Sequence, residues 1–68
     1  MALTKEEIAE ILKKAREEKK LTQAEVAEKS KVSTNYYAAV ERGKENISTG
    51  KLNRICETLN IKIKFTIS

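Results

Sequence analysis

The side chains with most chemical character in this chain lie in its middle third, between Thr22 and Asn46. Thr22, Gln23, Thr34, Asn35 and Asn46 bring hydroxyls and carboxamides, and Tyr36 and Lys44 add a phenol and an ammonium. Such groups hydrogen-bond and hold charge; they become nucleophiles only beside an activating base. The sequence has no histidine, and Cys56 is its one cysteine. A lone thiol without histidine forms no disulfide within the chain, no zinc site and no Ser–His or Cys–His pair. An enzyme, a metal and a cofactor are therefore not expected. The net charge of +4 and a pI near 9.3 suit a polyanionic partner instead.

Size sharpens this. A chain of 68 residues makes a single domain, and below roughly 70–80 residues one core rarely supplies more than a few kcal/mol. With no disulfide or metal to staple it, the chain is expected to gain stability by association. No apolar run approaches membrane-spanning length, and the charged start "MALTKEEIAE" is not that of a signal peptide. The expectation is a cytoplasmic protein without a membrane or a small-molecule ligand, its thiol reduced.

The elements that must position the polar residues are mostly helical. Thr4 with Glu7 forms a capping-box pattern. Behind it Ile8, Ile11, Leu12 and Ala15 share a face at helical spacing, which predicts a helix over 4–19. Thr22 with Glu25 repeats the box and opens a second helix carrying Ala24, Val26 and Ala27. Ser33 caps a third helix, in which Tyr37 and Val40 face inward and which Gly43 ends. Ser48 opens a fourth, with Leu52, Ile55, Cys56 and Leu59 as its stripe and Asn60 as its stop. Then the period changes. Ile61, Ile63, Phe65 and Ile67 alternate with polar residues, the two-residue pattern of a half-buried strand over about 61–67.

The stretch "LTQAEVAEKSKVSTNYYAAVERGK", residues 21–44, resembles the helix-turn-helix of the λ repressor-like family, the Xre or Cro/CI type. Leu21-Thr22-Gln23, Val26-Ala27, Val32-Ser33 and "VERGK" carry the match. With the outer helices it extends over about 3–59. The resemblance implies an all-α DNA-binding domain of four to five short helices, with the helix-turn-helix at about 22–42. It implies base contacts from Thr34, Asn35, Ala38 and Ala39, on the outward face of the third helix. Thr22, Gln23, Lys44 and Asn46 would hold phosphates, positioning contacts that carry no sequence information. Tyr36 would either touch a phosphate or lie as a cover over the helix. Arg16 and Glu41 resemble the family's structural pair, and Tyr37 stands where a branched aliphatic residue is usual. One departure is clear: Lys31 occupies the turn position where glycine is usual, and left-handed lysine there costs on the order of 1 kcal/mol more.

The tail has two readings. Paired antiparallel with its copy in a second chain, it would make Ile61, Ile63, Phe65 and Ile67 a dimer interface, as in some antitoxins of this type. Alternatively it packs on its own domain. The implied function is a homodimeric regulator of transcription, a repressor or controller reading a palindrome in double-stranded DNA. Its rivals are an antitoxin with a toxin partner, which also represses its own operon, and an adaptor that has lost DNA binding.

Overall fold

The computed structural model describes residues 3–62. Four helices follow one another: α1 (Lys5–Glu18), α2 (Gln23–Lys29), α3 (Thr34–Glu41) and α4 (Thr49–Leu59). Each begins where the sequence places a cap. Thr4 and Thr22 form complete capping boxes with Glu7 and Glu25, and Ser33 and Ser48 accept the amides of Tyr36 and Lys51. Each cap satisfies amides that the helix itself cannot.

The four stops also share one geometry. Lys20, Lys31, Gly43 and Asn60 lie in the left-handed region, with φ of 57°, 60°, 70° and 55°. The next residue's N–H then reaches back five positions: Leu21 to Arg16, Val32 to Ala27, Lys44 to Ala39 and Ile61 to Cys56, at 3.0–3.2 Å. This is the Schellman arrangement. Leu21, Val32 and Ile61 follow three of these stops, and each packs against the core. Lys31 is thus left-handed, as its place in the turn implies. Lys20 shares that conformation, which its pattern of neighbouring charges did not suggest.

One core unites the helices. Leu12, Val26, Ala27, Tyr37, Val40, Leu52, Ile55 and Leu59 are each at most 2% exposed. Packing joins α3 to α1 and α2, and α4 to α2 and α1. Ala27, the small residue in α2, lets the backbones approach. Two expectations are corrected. Ile11 is 37% exposed, because the buried stripe of α1 runs through Ile8, Ala9, Leu12 and Ala15 and leaves Ile11 at its margin. Ala24 is likewise exposed, and α2 turns only Val26 and Ala27 inward.

Among the described residues there is no strand. The strand expected over 61–67 lies outside them except for Ile61 and Lys62, and neither of these is in regular structure. No described helix is long and apolar enough to cross a membrane.

Candidate nucleic-acid interface

The relative placement of α2 and α3 is fixed by a buried carboxylate. Glu41, at the end of α3, receives Arg16 Nε at 2.6 Å and Arg16 Nη2 at 3.0 Å, a two-point clamp from α1. Arg16 Nη1 also donates to the Leu21 carbonyl at 2.9 Å, and Gln23 Nε2 donates to Glu41 Oε1 at 3.1 Å. The end of α1, the start of α2 and the end of α3 are therefore tied at one anion. Burial opposes ionisation of Glu41, but hydrogen bonding to Arg16, and after it to Gln23, holds the carboxyl below its ordinary value. The same contact raises the Arg16 guanidinium further above its usual range. Arg16 and Glu41 form the structural pair that the resemblance implies.

Tyr37 lies in the core at 0% exposure. Among the described residues its buried hydroxyl has no hydrogen-bond partner, and burial, together with Glu41, pushes the phenol far above its ordinary range. A second tie fastens α4 to the end of α2. Ser30 is wholly buried, its hydroxyl donates to Thr58 Oγ1 at 2.9 Å, and Arg54 Nε donates to the Ser30 carbonyl at 3.0 Å. Nothing local in "KSKV" announces this contact, which spans 28 positions of chain.

With its inner side thus held, α3 turns the rest outward. Thr34 and Asn35 are exposed. Ala38 and Ala39 lie on the same side but are half-buried, so they form a low floor beside Asn35. Arg42, the C-cap of α3, is exposed and lies seven positions, nearly two full turns, from Asn35. It therefore continues the stripe of Asn35, Ala38 and Ala39. The signal for Arg42 was in the helical spacing, but the family pattern drew attention to "VERGK" as a helix stop and not to the outward face of its arginine. Of the three arginines, Arg16 and Arg54 are committed to intramolecular hydrogen bonds.

Around this stripe, Thr22 is exposed and Gln23 half-buried at the start of α2. The Thr22 hydroxyl takes the Glu25 amide at 3.0 Å, and Glu25 takes the Thr22 amide at 2.8 Å. These hydrogen bonds from Thr22 hold the Glu25 carboxyl below its usual value. The Thr22 amide is therefore occupied, and among the described residues Gln23 is the first residue of the helix whose amide lacks a capping acceptor. Lys44 and Asn46 are exposed in the loop after α3. Tyr36 is half-buried, packs against the core and carries the Lys51 ammonium 4.5 Å from its ring centre. The cover reading describes its ring. Burial, with Glu45 nearby, raises its phenol pKa. Among the described residues no cluster of His, Cys, Asp or Glu could hold a metal ion.

The chain is similar to known proteins in both sequence and fold. The chain is 36% identical to the immunity repressor protein of Bacillus phage phi105 over 56 residues, 82% of this chain and 39% of the repressor. It is 30% identical to the transcriptional regulator ClgR of Mycobacterium tuberculosis over 66 residues, 97% of this chain and 59% of the regulator. The chain thus spans only about two-fifths to three-fifths of the curated relatives it matches. The crystal structure of the clp gene regulator ClgR from Corynebacterium glutamicum superposes with a TM-score of 0.83 at 34% identity, covering 87% of this chain and 63% of that one. The profile of the helix-turn-helix family matches residues 12–65. This chain therefore belongs to the helix-turn-helix family, of the λ repressor-like, Cro/CI type.

Proposed function

We propose that the chain is a sequence-specific double-stranded DNA-binding regulator of transcription that acts as a homodimeric repressor or controller on a palindromic operator. The observation that carries this reading is the outer side of α3. Thr34 and Asn35 are polar, exposed and needed by no core, and Arg42 extends their stripe. A helix presented in this way can enter a major groove, where its first residues meet base edges. Asn35 pairs with adenine N6 and N7; Thr34 donates to a base or a phosphate; Ala38 and Ala39 meet thymine methyls. Gln23 keeps one Nε2 hydrogen on Glu41 and has the other for a phosphate. Thr22, Lys44 and Asn46 hold the backbone, with Tyr36 at their margin. This makes the chain a binding protein and not an enzyme, with no metal or cofactor in its action.

One copy offers few contacts. Two copies on a two-fold axis read two half-sites ~34 Å apart. Ile61 packs on the core beside a groove of about 290 Å³ lined by residues that include Ala15, Leu59 and Ile61. Ile61 opens the alternating stretch and lines this groove, which favours this edge as the place where Ile61, Ile63, Phe65 and Ile67 meet a second copy. That the named relatives are a repressor and regulators favours regulation over the antitoxin role.

Selection of sites from a random DNA pool tests the reading, and it should yield an inverted repeat. A pool that enriches no sequence would sink it. A chain lacking residues 63–68 should sediment as a monomer and bind the selected site much more weakly. A truncated chain that stays dimeric would move the interface elsewhere.

A further inference from the structure

Lys51 has no place in the contact set above, because it belongs to α4, outside the helix-turn-helix. Its position is nevertheless specific. The ammonium sits 4.5 Å from the centre of the Tyr36 ring, and Tyr36 is the neighbour of Asn35 on α3. A cation over an aromatic face is held by the ring's quadrupole, without neutralisation of its charge. Among the described residues, no carboxylate lies within ion-pair distance of Lys51. Two of the three arginines contrast with it: Arg16 is tied to Glu41 and Arg54 to the Ser30 carbonyl. Lys51 is thus a full positive charge, steered to one flank of the outward helix and left unspent.

The flank is where such a charge is useful. An α-helix with side chains is ~10–12 Å across and a major groove is ~12 Å wide. A helix in the groove therefore brings its flanks against the phosphate walls. We propose that Lys51 is a phosphate contact of the DNA complex and that Tyr36 is its positioning residue, the ring fixing the ammonium beside the reading face. The proposal rests on the DNA-binding reading above. It gives the covering ring of Tyr36 a part in DNA binding, exerted through Lys51. Glu45 opposes it, since its charge is felt at Tyr36 and would repel the same phosphate.

The test is a titration of the full chain against the selected operator and against a random duplex, over 50–200 mM salt. Each phosphate contact adds about 0.9 to the steepness of log K against log salt, and a dimer carries two copies of Lys51, so Lys51→Gln should lose about twelvefold less affinity than wild type across this range. The change should be equal on both duplexes. Lys13→Gln, on the exposed side of α1, should leave the slope as it is. Tyr36→Phe keeps the ring and should keep the Lys51 contribution to the salt slope. Tyr36→Leu should weaken binding several-fold in the wild-type background and little once Lys51 is Gln, while Glu45→Gln should tighten it. A slope for Lys51→Gln equal to that of Lys13→Gln overturns the contact. Additive losses from Tyr36→Leu and Lys51→Gln overturn the positioning role. A wild type that binds neither duplex overturns the DNA-binding reading as well, which separates the two failures.

Discussion

The two sides of α3 follow opposite rules. On the inner side, Tyr37, Val40 and Glu41 are buried, and Glu41 accepts from both Arg16 and Gln23. On the outer side, Thr34, Asn35 and Arg42 are exposed, and the half-buried alanines between them are small. An eight-residue helix is too short to be stable in water alone. Its inner side must supply the fold, and only then can its outer side stay free of intramolecular duty. Substitutions on the two sides should therefore separate cleanly, one set moving stability and the other moving DNA binding.

The sharpest break is expected on the inner side. Arg16→Met leaves the Glu41 carboxylate buried and short of its strongest donor, and it should cost about 3 kcal/mol. That is a large part of the stability of so small a domain. The pH dependence should also change sign. In the wild type the folded Glu41 carboxyl lies below its unfolded value of 4.5. Its contribution is full above pH 4.5 and is lost as pH falls through the folded value. Without Arg16, burial raises the folded value above the unfolded one. The variant should then gain stability as pH falls from 7 toward 5, where the wild type gains nothing from this group. Urea midpoints at the two pH values decide it; a variant with the wild-type midpoint would show the clamp to be idle.

Asn35→Ala sharpens the comparison from the outer side. Asn35 is exposed, and the change removes no hydrogen-bond partner among the described residues, so the thermal midpoint should stay within the error of measurement. Affinity for the selected operator should fall by ~1–3 kcal/mol, with little change on random duplex. An equal loss on both would make Asn35 a backbone contact, and a loss of stability would put it on the inner side. Arg42→Ala is expected to behave on the same side of the divide, with unchanged stability and weaker binding.

The division also describes what the sequence could disclose. Caps and stripes are local: Thr4, Thr22, Ser33 and Ser48 announce the helix starts by hydrogen bonds to amides three residues on. Gly43 and Asn60 announce two stops by residue type. The Arg16–Glu41 clamp spans 25 positions and was legible only through resemblance, since charge spacing alone pairs neither residue. The Ser30–Thr58–Arg54 tie and the burial of the Tyr37 hydroxyl were not legible, because they depend on which side chains meet when α2, α3 and α4 close together. The outer side was read well at Thr34 and Asn35, where exposure follows from having no core role. It was read less well at Ala38 and Ala39, which are half-covered, and Arg42 was passed over.

The smallest expected effect concerns the turn between α2 and α3, which joins the two rules. Lys31 and Gly43 adopt nearly the same backbone, φ 60° and 70°, in the same kind of helix stop, yet only one is glycine. A left-handed L-residue carries ~1–2 kcal/mol of strain, while glycine loses ~0.4–1 kcal/mol more chain entropy on folding. The difference predicts that Lys31→Gly stabilises the domain by up to about 1 kcal/mol. Gly43→Ala should move stability the other way, because the added Cβ is strained at φ 70° and meets Glu6 Cγ at 3.4 Å. Lys31 is exposed, so its retention costs stability that packing does not return. If the charge matters only to the fold, Lys31→Gly should raise the midpoint and leave operator affinity and its salt slope unchanged. If instead the more stable variant binds with a shallower slope, Lys31 belongs to the outer side, and the strain in the turn is what holds its charge toward the DNA.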